Sequence, residues 1–237
     1  MFIPLDILAA DLDKIEEIEK ASMRLVTQAV YDFREQAAEI FLREADFSDI
    51  GEDTTREALD RMGVSKIGER LFGKIDYKRA RYVFHPDYAV KQALLVDSKA
   101  ERTAGRGTAT LQTAQTSLRI RHIRAGEAVD IPGTVPSIKQ TDTASYLTTT
   151  IFVKYHYQQL AVDRGRLVDI VIAALPNGLL QDRYNPTAQE TIWLTGRNAP
   201  TLGEAFRVRL TFARLKAKAK WRVQAIPMAP DPFVWDD

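Results

Sequence analysis

The 237-residue chain contains no cysteine. That excludes disulfides, thiolate metal sites and a cysteine nucleophile, and it fits a reducing cytoplasm. Its three histidines (His85, His122 and His156) are scattered and show no zinc-ligand spacing. His156 lies in a stretch full of aromatics, where a packed or surface role is commoner than that of a base. No apolar run approaches the length of a membrane span, and no basic segment followed by an apolar one opens the chain. Gly105-x-Gly107 lacks a later glycine and a strand-to-helix setting, so neither a P-loop nor a dinucleotide fingerprint is present. Net charge is nearly absent too, at +1. The expectation is a cytoplasmic globular protein of ordinary composition, 45% hydrophobic and 27% charged.

The small net charge hides a strong asymmetry. Residues 1–62 carry 16 acids against 7 Lys and Arg, so residues 63–237 hold a net charge of +10. Between Arg197 and Arg222 there are eight Lys and Arg and one acid, Glu204. An acidic scaffold joined to a basic region is compatible with a polyanionic partner, and equally with a solvated basic face.

Periodicity organises the chain into one domain over 1–237: a helical, acidic region over 1–62 and a core over 63–237. Ile15, Ile18, Leu25, Val26, Ala29, Phe33, Ile40 and Phe41 recur at helical spacing and predict one long helix over 11–45. Thr54-Thr55-Arg56-Glu57 fits a capping box opening a short helix that Gly63 would end. Residues 73–101 read as two strands and a tight turn. Residues 104–121 suggest a loop entering a helix, and 126–146 an irregular insertion rich in Pro, Gly, Thr and Ser. Strands are predicted over 148–160, 166–175, 205–212 and 222–226, with a turn at Asp163-Arg164-Gly165 and a helix over 213–220. The fold class is α/β (α+β), a central mixed sheet flanked by helices with a long N-terminal helix.

Chemistry concentrates in the two strands of 73–101. The second ends in Asp97-Ser98-Lys99, and alternation puts Asp97 and Lys99 on one face with Ser98 on the other. An acid on the neighbouring strand would complete a phosphodiester-cutting site, in which carboxylates hold Mg²⁺ and a cation orients the attacking water. Asp76 and Asp87 compete for that place. A turn centred on Asp87-Tyr88 pairs numbers that sum to about 175, which sets Asp76 across from Lys99, one step from Asp97. Asp87 then lies at the tip, roughly 30 Å from Asp97 at about 3.3 Å per residue, too far to share a metal. The set is therefore Asp76, Asp97 and Lys99, with the Ser98 carbonyl as a third oxygen ligand. Glu101 shares the face, as a supporting acid or a solvated rim residue.

A second pattern lies in Phe206-Arg207-Val208-Arg209-Leu210. Arg207 and Arg209 share a face about 6.6 Å apart, a spacing at which each can grip O6 and N7 of neighbouring guanines. Viewed alone, such a pair is more often a polar outer strand face. Tyr184-Asn185-Pro186 is a loop signal.

Taken in order, GKIDYKRARY, LLVDSKAE, TTTIFVKYHY, the RYNP of Arg183–Pro186 and GEAFRVRLTFARLK resemble the SfiI-like type II restriction endonucleases of the PD-(D/E)xK superfamily. The resemblance runs over most of the chain and is weakest between about residues 104 and 147. The 21-residue step from Asp76 to Asp97 fits that family's active site. By this resemblance Asp76, Asp97 and Lys99 fall on catalytic positions. Arg106, Arg207 and Arg209 fall on basic positions that look like major-groove base readers, and Arg197 falls where the relative has a lysine. The resemblance implies a homotetramer of two back-to-back dimers that binds two copies of a GC-rich interrupted palindrome in double-stranded DNA. Each dimer would leave short 3′ overhangs. The competing expectations are an inactive DNA-binding protein of the same fold and a structure-selective repair nuclease.

Overall fold

The structure, a computed structural model, describes residues 5–43, 49–61, 66–67, 78–84, 89–102, 107–161, 164–194 and 207–237. For Leu5, residues 66–67 and 78–84, Ala89 and Arg207 the description is of the backbone only. Gly63, Asp163 and the acids Asp76 and Asp87 lie outside the described residues.

The N-terminal stripe folds as α1 (Leu5–Ala9), α2 (Leu12–Asp32) and α3 (Arg34–Arg43). Asp11 caps α2 by accepting from the Lys14 N–H at 3.1 Å. The single helix expected over 11–45 is broken at Phe33, which keeps near-helical angles while its ring stays buried. The bend brings Phe41 of α3 onto Tyr155 and Tyr157, with ring centroids at 5.7 and 5.8 Å. Packing, with no proline or glycine at the joint, sets the break. The expected capping box is also displaced. Helix α4 (Ile50–Arg61) begins four residues earlier, and Thr54 and Thr55 lie buried inside it. The Thr54 hydroxyl bonds back to the Ile50 carbonyl at 2.6 Å.

The central mixed sheet comprises β1 (Lys66–Ile67), β2 (Lys78–Phe84), β3 (Ala89–Arg102), β8 (Ser145–Ala161), β9 (Arg164–Leu175) and β12 (Val223–Pro227), in that order. The short β7 (Ile138–Gln140) also pairs with β8. Among the described residues of this sheet, β3 and β8 alone run parallel and the other pairings are antiparallel. β8 is buried continuously from Tyr146 to Tyr157, as a central strand covered on both faces must be. One face carries Leu94 and Val96 of β3, Ile151, Val153 and Tyr155 of β8, and Ile170 and Ile172 of β9 against Val26, Ala29, Phe41 and Ala58 of the helices.

Over the opposite face lies a smaller sheet of β10 (Trp193–Leu194), β11 (Arg207–Thr211) and β4 (Thr108–Gln112). Leu111, Val208, Leu210 and Trp193 pack there with Phe152 and Ala173. Helix α6 (Phe212–Lys218) follows β11 directly. The helix expected within 104–121 is therefore absent. β4 and β5 (Ile120–Arg124) occupy that stretch, and β6 (Glu127–Ile131) joins β5 in a hairpin within the supposed irregular insertion. Ala125 and Gly126, both with positive φ (51° and 87°), make the two-residue turn that matches strand twist.

Charge joins the long helix α2 to the 3₁₀ turn Lys220–Arg222 that leads into β12. Glu19 of α2 accepts from the Arg222 guanidinium at 2.7 Å and from the Asn177 N–H at 2.9 Å, and both charged side chains are fully buried. Burial raises the Glu19 carboxyl above its ordinary value, against the pull of Arg222. Arg222 also lies 4.3 Å from the ring centres of Tyr184 and Trp221. Tyr184 closes the helix α5 (Gln181–Tyr184), and its hydroxyl donates to Glu16 at 2.6 Å. The basic run of 197–222 therefore ends in the core. Removing one member of a buried pair leaves an uncompensated charge, so Arg222→Met should cost about 3–5 kcal/mol of stability in urea unfolding. Glu19→Met/Arg222→Met should recover most of that loss; a double variant as unstable as the single would refute the pairing.

Candidate active site

Strand β3 is two-faced where the motif lies. The Ser98 side chain points into the helix side, donating to Thr55 at 2.8 Å, and Thr55 in turn meets the Tyr155 hydroxyl at 2.9 Å. Helix α4 comes unusually close at this point. A Cβ on Gly51 would stand 3.0 Å from the Lys99 carbonyl carbon and the Ala100 nitrogen, so glycine lets the helix press on the backbone of the motif. The middle residue of D-x-K thus fastens the strand from behind, and alternation delivers its neighbours to the other face.

On that face Asp97, Lys99 and Glu101 line one pocket with Phe152, Lys154 and Thr110. The Lys99 ammonium lies 3.5 Å from Asp97 Oδ2, an oxygen that is buried and has no hydrogen-bond partner. Burial raises the Asp97 carboxyl above its ordinary value, opposed first by Lys99. Lys99 remains 43% exposed and reaches the Thr110 carbonyl at 3.4 Å.

Lys154 was not among the expected residues. It stands beside Lys99 in the parallel pairing of β3 and β8, and its side chain is only 3% exposed. It donates to Glu101 and to the Thr108 carbonyl, both at 2.5 Å. Burial lowers its pKa, opposed by Glu101. Glu101 is therefore ion-paired and not a free rim acid. One residue further along each strand's face, His156 meets Asp169 at 2.5 Å and is fully buried, so it is a packed histidine.

The other expected residues divide. β2 and β3 pair antiparallel with partner numbers summing to 173, from Lys78↔Leu95 to Phe84↔Ala89, instead of the expected 175. Asp76, Asp87, Arg106 and Arg197 lie outside the described residues, as does the side chain of Arg207. Arg209 is exposed on β11 while Val208 and Leu210 are buried on either side, and it sits opposite Thr110 of β4. Among the described residues, no three His, Asp or Glu side chains converge as a metal site. No helix among them is long and apolar enough to cross a membrane.

Comparison with known proteins identifies the family and the fold. The profile of the family described as type II restriction enzyme SfiI matches residues 27–226. The type II restriction enzyme SfiI of Streptomyces fimbriatus is 32% identical over 233 residues, covering 93% of this chain and 87% of that protein. The crystal structure of the tetrameric endonuclease SfiI bound to cognate DNA superposes with a TM-score of 0.82 at 30% identity, over 94% of this chain and 87% of that one. The endonuclease BglI bound to its DNA recognition sequence shares the fold, with a TM-score of 0.72 at 16% identity over 94% of both chains.

The raised Asp97 pKa has a consequence for stability. A carboxyl whose pKa is higher in the fold than in the unfolded chain stabilises at low pH, and that contribution is lost as pH rises through the folded value. Without divalent ions, Asp97→Asn should melt at a higher temperature than the natural chain at neutral pH. The gap should close as the solution is acidified below the ordinary carboxylate range. Thermal melts across pH check this, and a more stable natural chain at neutral pH would refute it.

Proposed function

This chain belongs to the SfiI family of type II restriction enzymes, which are site-specific endonucleases, and from that membership we propose that it makes Mg²⁺-dependent double-strand cuts at a GC-rich interrupted palindrome. The observation that carries the reading is the shared face of β3, where Asp97 and Lys99 stand together beneath β4, the strand that pairs with the one exposing Arg209.

The residues fit a hard divalent cation. Asp97 Oδ2 is a buried carboxylate oxygen ion-paired with Lys99 at 3.5 Å, a ligand type that Mg²⁺ takes alongside several waters. Asp76, Asp97 and the Ser98 carbonyl would hold the ion. When bound, such a cation would polarise the phosphoryl oxygen and offset the negative charge that builds on the phosphoryl oxygens during attack.

The protein's own groups do the positioning. Lys99, partly exposed beside Asp97, orients the attacking water in line with the phosphorus. The P–O3′ bond breaks as the water oxygen bonds to phosphorus, and a proton from solvent goes to the departing oxygen, leaving a 3′-hydroxyl on one product and a 5′ phosphate on the other. Specificity comes from arginine–guanine pairs made by Arg106, Arg197, Arg207 and Arg209, and affinity from phosphate contacts spread over the basic region. A homotetramer of two dimers would bring two DNA sites together, as expected for a relative of an enzyme that binds its cognate DNA as a tetramer.

Plasmid DNA incubated with the protein and Mg²⁺ should give discrete fragments, and sequencing their ends should return one interrupted palindrome. A smear would point to a structure-selective nuclease and no cutting to an inactive relative. Asp97→Ala should abolish cleavage while DNA binding in gel shifts persists; retained cleavage would sink the site assignment. Arg209→Ala should weaken discrimination by about 1–3 kcal/mol at the guanine it reads, measured as the ratio of kcat/KM on the cognate and a one-base variant site.

A further inference from the structure

Strand β4 touches the catalytic face through two carbonyls, those of Thr108 and Thr110. Lys99 donates to Thr110 at 3.4 Å and Lys154 donates to Thr108 at 2.5 Å. Carbonyls two residues apart open on the same edge of a strand, and β4 is an edge of its three-stranded sheet. The two lysines therefore fill the edge that β11 leaves free. On its other edge β4 pairs with β11 in a register that sets Thr110 against Arg209 and Thr108 against Thr211. β4, paired with the strand of the exposed arginine on one edge and held by the two lysines on the other, thus lies between Arg209 and the lysine of the motif.

The two lysine contacts differ in kind. Lys99 is 43% exposed and its bond to Thr110 is long, so this contact is the one surrendered when the ammonium turns to the attacking water. Lys154 is 3% exposed, is held by Glu101 and faces no solvent through which DNA could reach it. It interrupts the buried run Ile151–Tyr155, where an apolar side chain would give as much stability or more. Stability alone does not account for it. We infer that Lys154 is a positioning residue that clamps β4, and through it the Arg209 strand, onto the face bearing Asp97 and Lys99, so that reading a base is converted into placing Lys99. This rests on the assignment of Arg209 as a base reader made above.

A double-mutant cycle on the full chain tests it, with Lys154→Met, Arg209→Ala and their combination assayed for kcat and KM on cognate DNA and on one-base variant sites. Residues that act independently give losses that multiply. The clamp predicts that Lys154→Met lowers kcat while leaving KM for DNA within about twofold, and that the combined loss in kcat/KM falls short of the product by about fivefold or more. It also predicts that Lys154→Met narrows the gap between cognate and variant sites. If Arg209→Ala weakens discrimination but the two losses multiply, the clamp is wrong and the base-reading assignment survives. If Arg209→Ala leaves discrimination unchanged, the base-reading assignment itself fails, and the clamp with it. Should Lys154→Met not fold, Lys154→Arg takes its place. It keeps a charge for Glu101 but offers a planar fork in place of a compact ammonium, and the same shortfall from the product is expected.

Discussion

Everything at the candidate site depends on the period-two alternation of β3 held in parallel register with β8. The pairing runs without interruption from Gln92↔Leu147 to Arg102↔Tyr157. Because successive side chains take opposite faces, a slip of one residue would turn Asp97 and Lys99 into the helix core and Ser98 outward. Both faces resist such a slip. Behind the strand, Gly51 presses against the Lys99–Ala100 backbone and Thr55 binds Ser98. In front, Lys154 must find Glu101 and the Thr108 carbonyl. The chemistry is thus specified by packing on the side where no chemistry occurs.

The charged face is assembled at a cost in stability. Asp97 is half-buried, its Oδ2 meets the Lys99 ammonium at 3.5 Å, and its charged form is disfavoured. Lys154 is an ammonium inside a hydrophobic strand, disfavoured in the same way and rescued by Glu101. An apolar replacement of either side chain would suit the fold. Their retention in a protein of this enzyme family fits a site organised around a cation and a phosphodiester, where such strain is relieved only when ligands arrive.

Much of the fold was legible in the sequence, and the exceptions share a cause. The strands β8, β9, β11 and β12 announce themselves by apolar runs or strict alternation, and the face-sharing of Asp97 and Lys99 follows from counting residues. The break at Phe33 does not, since no helix breaker stands there and the cause is Phe41 reaching Tyr155, over a hundred residues away. β4 to β7 are short strands among Gly, Pro and Thr, whose partners supply most of their stability. The capping box failed because Thr54 and Thr55 have partners inside and beneath the helix. Lys154 was invisible for a related reason. A lysine in an apolar strand reads as a surface residue until its acid, 53 positions earlier, is brought beside it by a parallel pairing that no local pattern encodes.

The Glu19–Arg222 pair has a bearing on how the chain is made. The two residues are 203 positions apart, so the acid emerges from the ribosome long before its counter-charge. By then the D-x-K strand, its parallel neighbour and the arginine-bearing strand have all been synthesised. The helix layer behind them cannot seat its central acid until residue 222 is available, because an unpaired carboxylate resists burial. Synthesis therefore delivers the D-x-K residues well before the fold can organise them, and a chain interrupted before Arg222 would carry the motif without the frame that aims it.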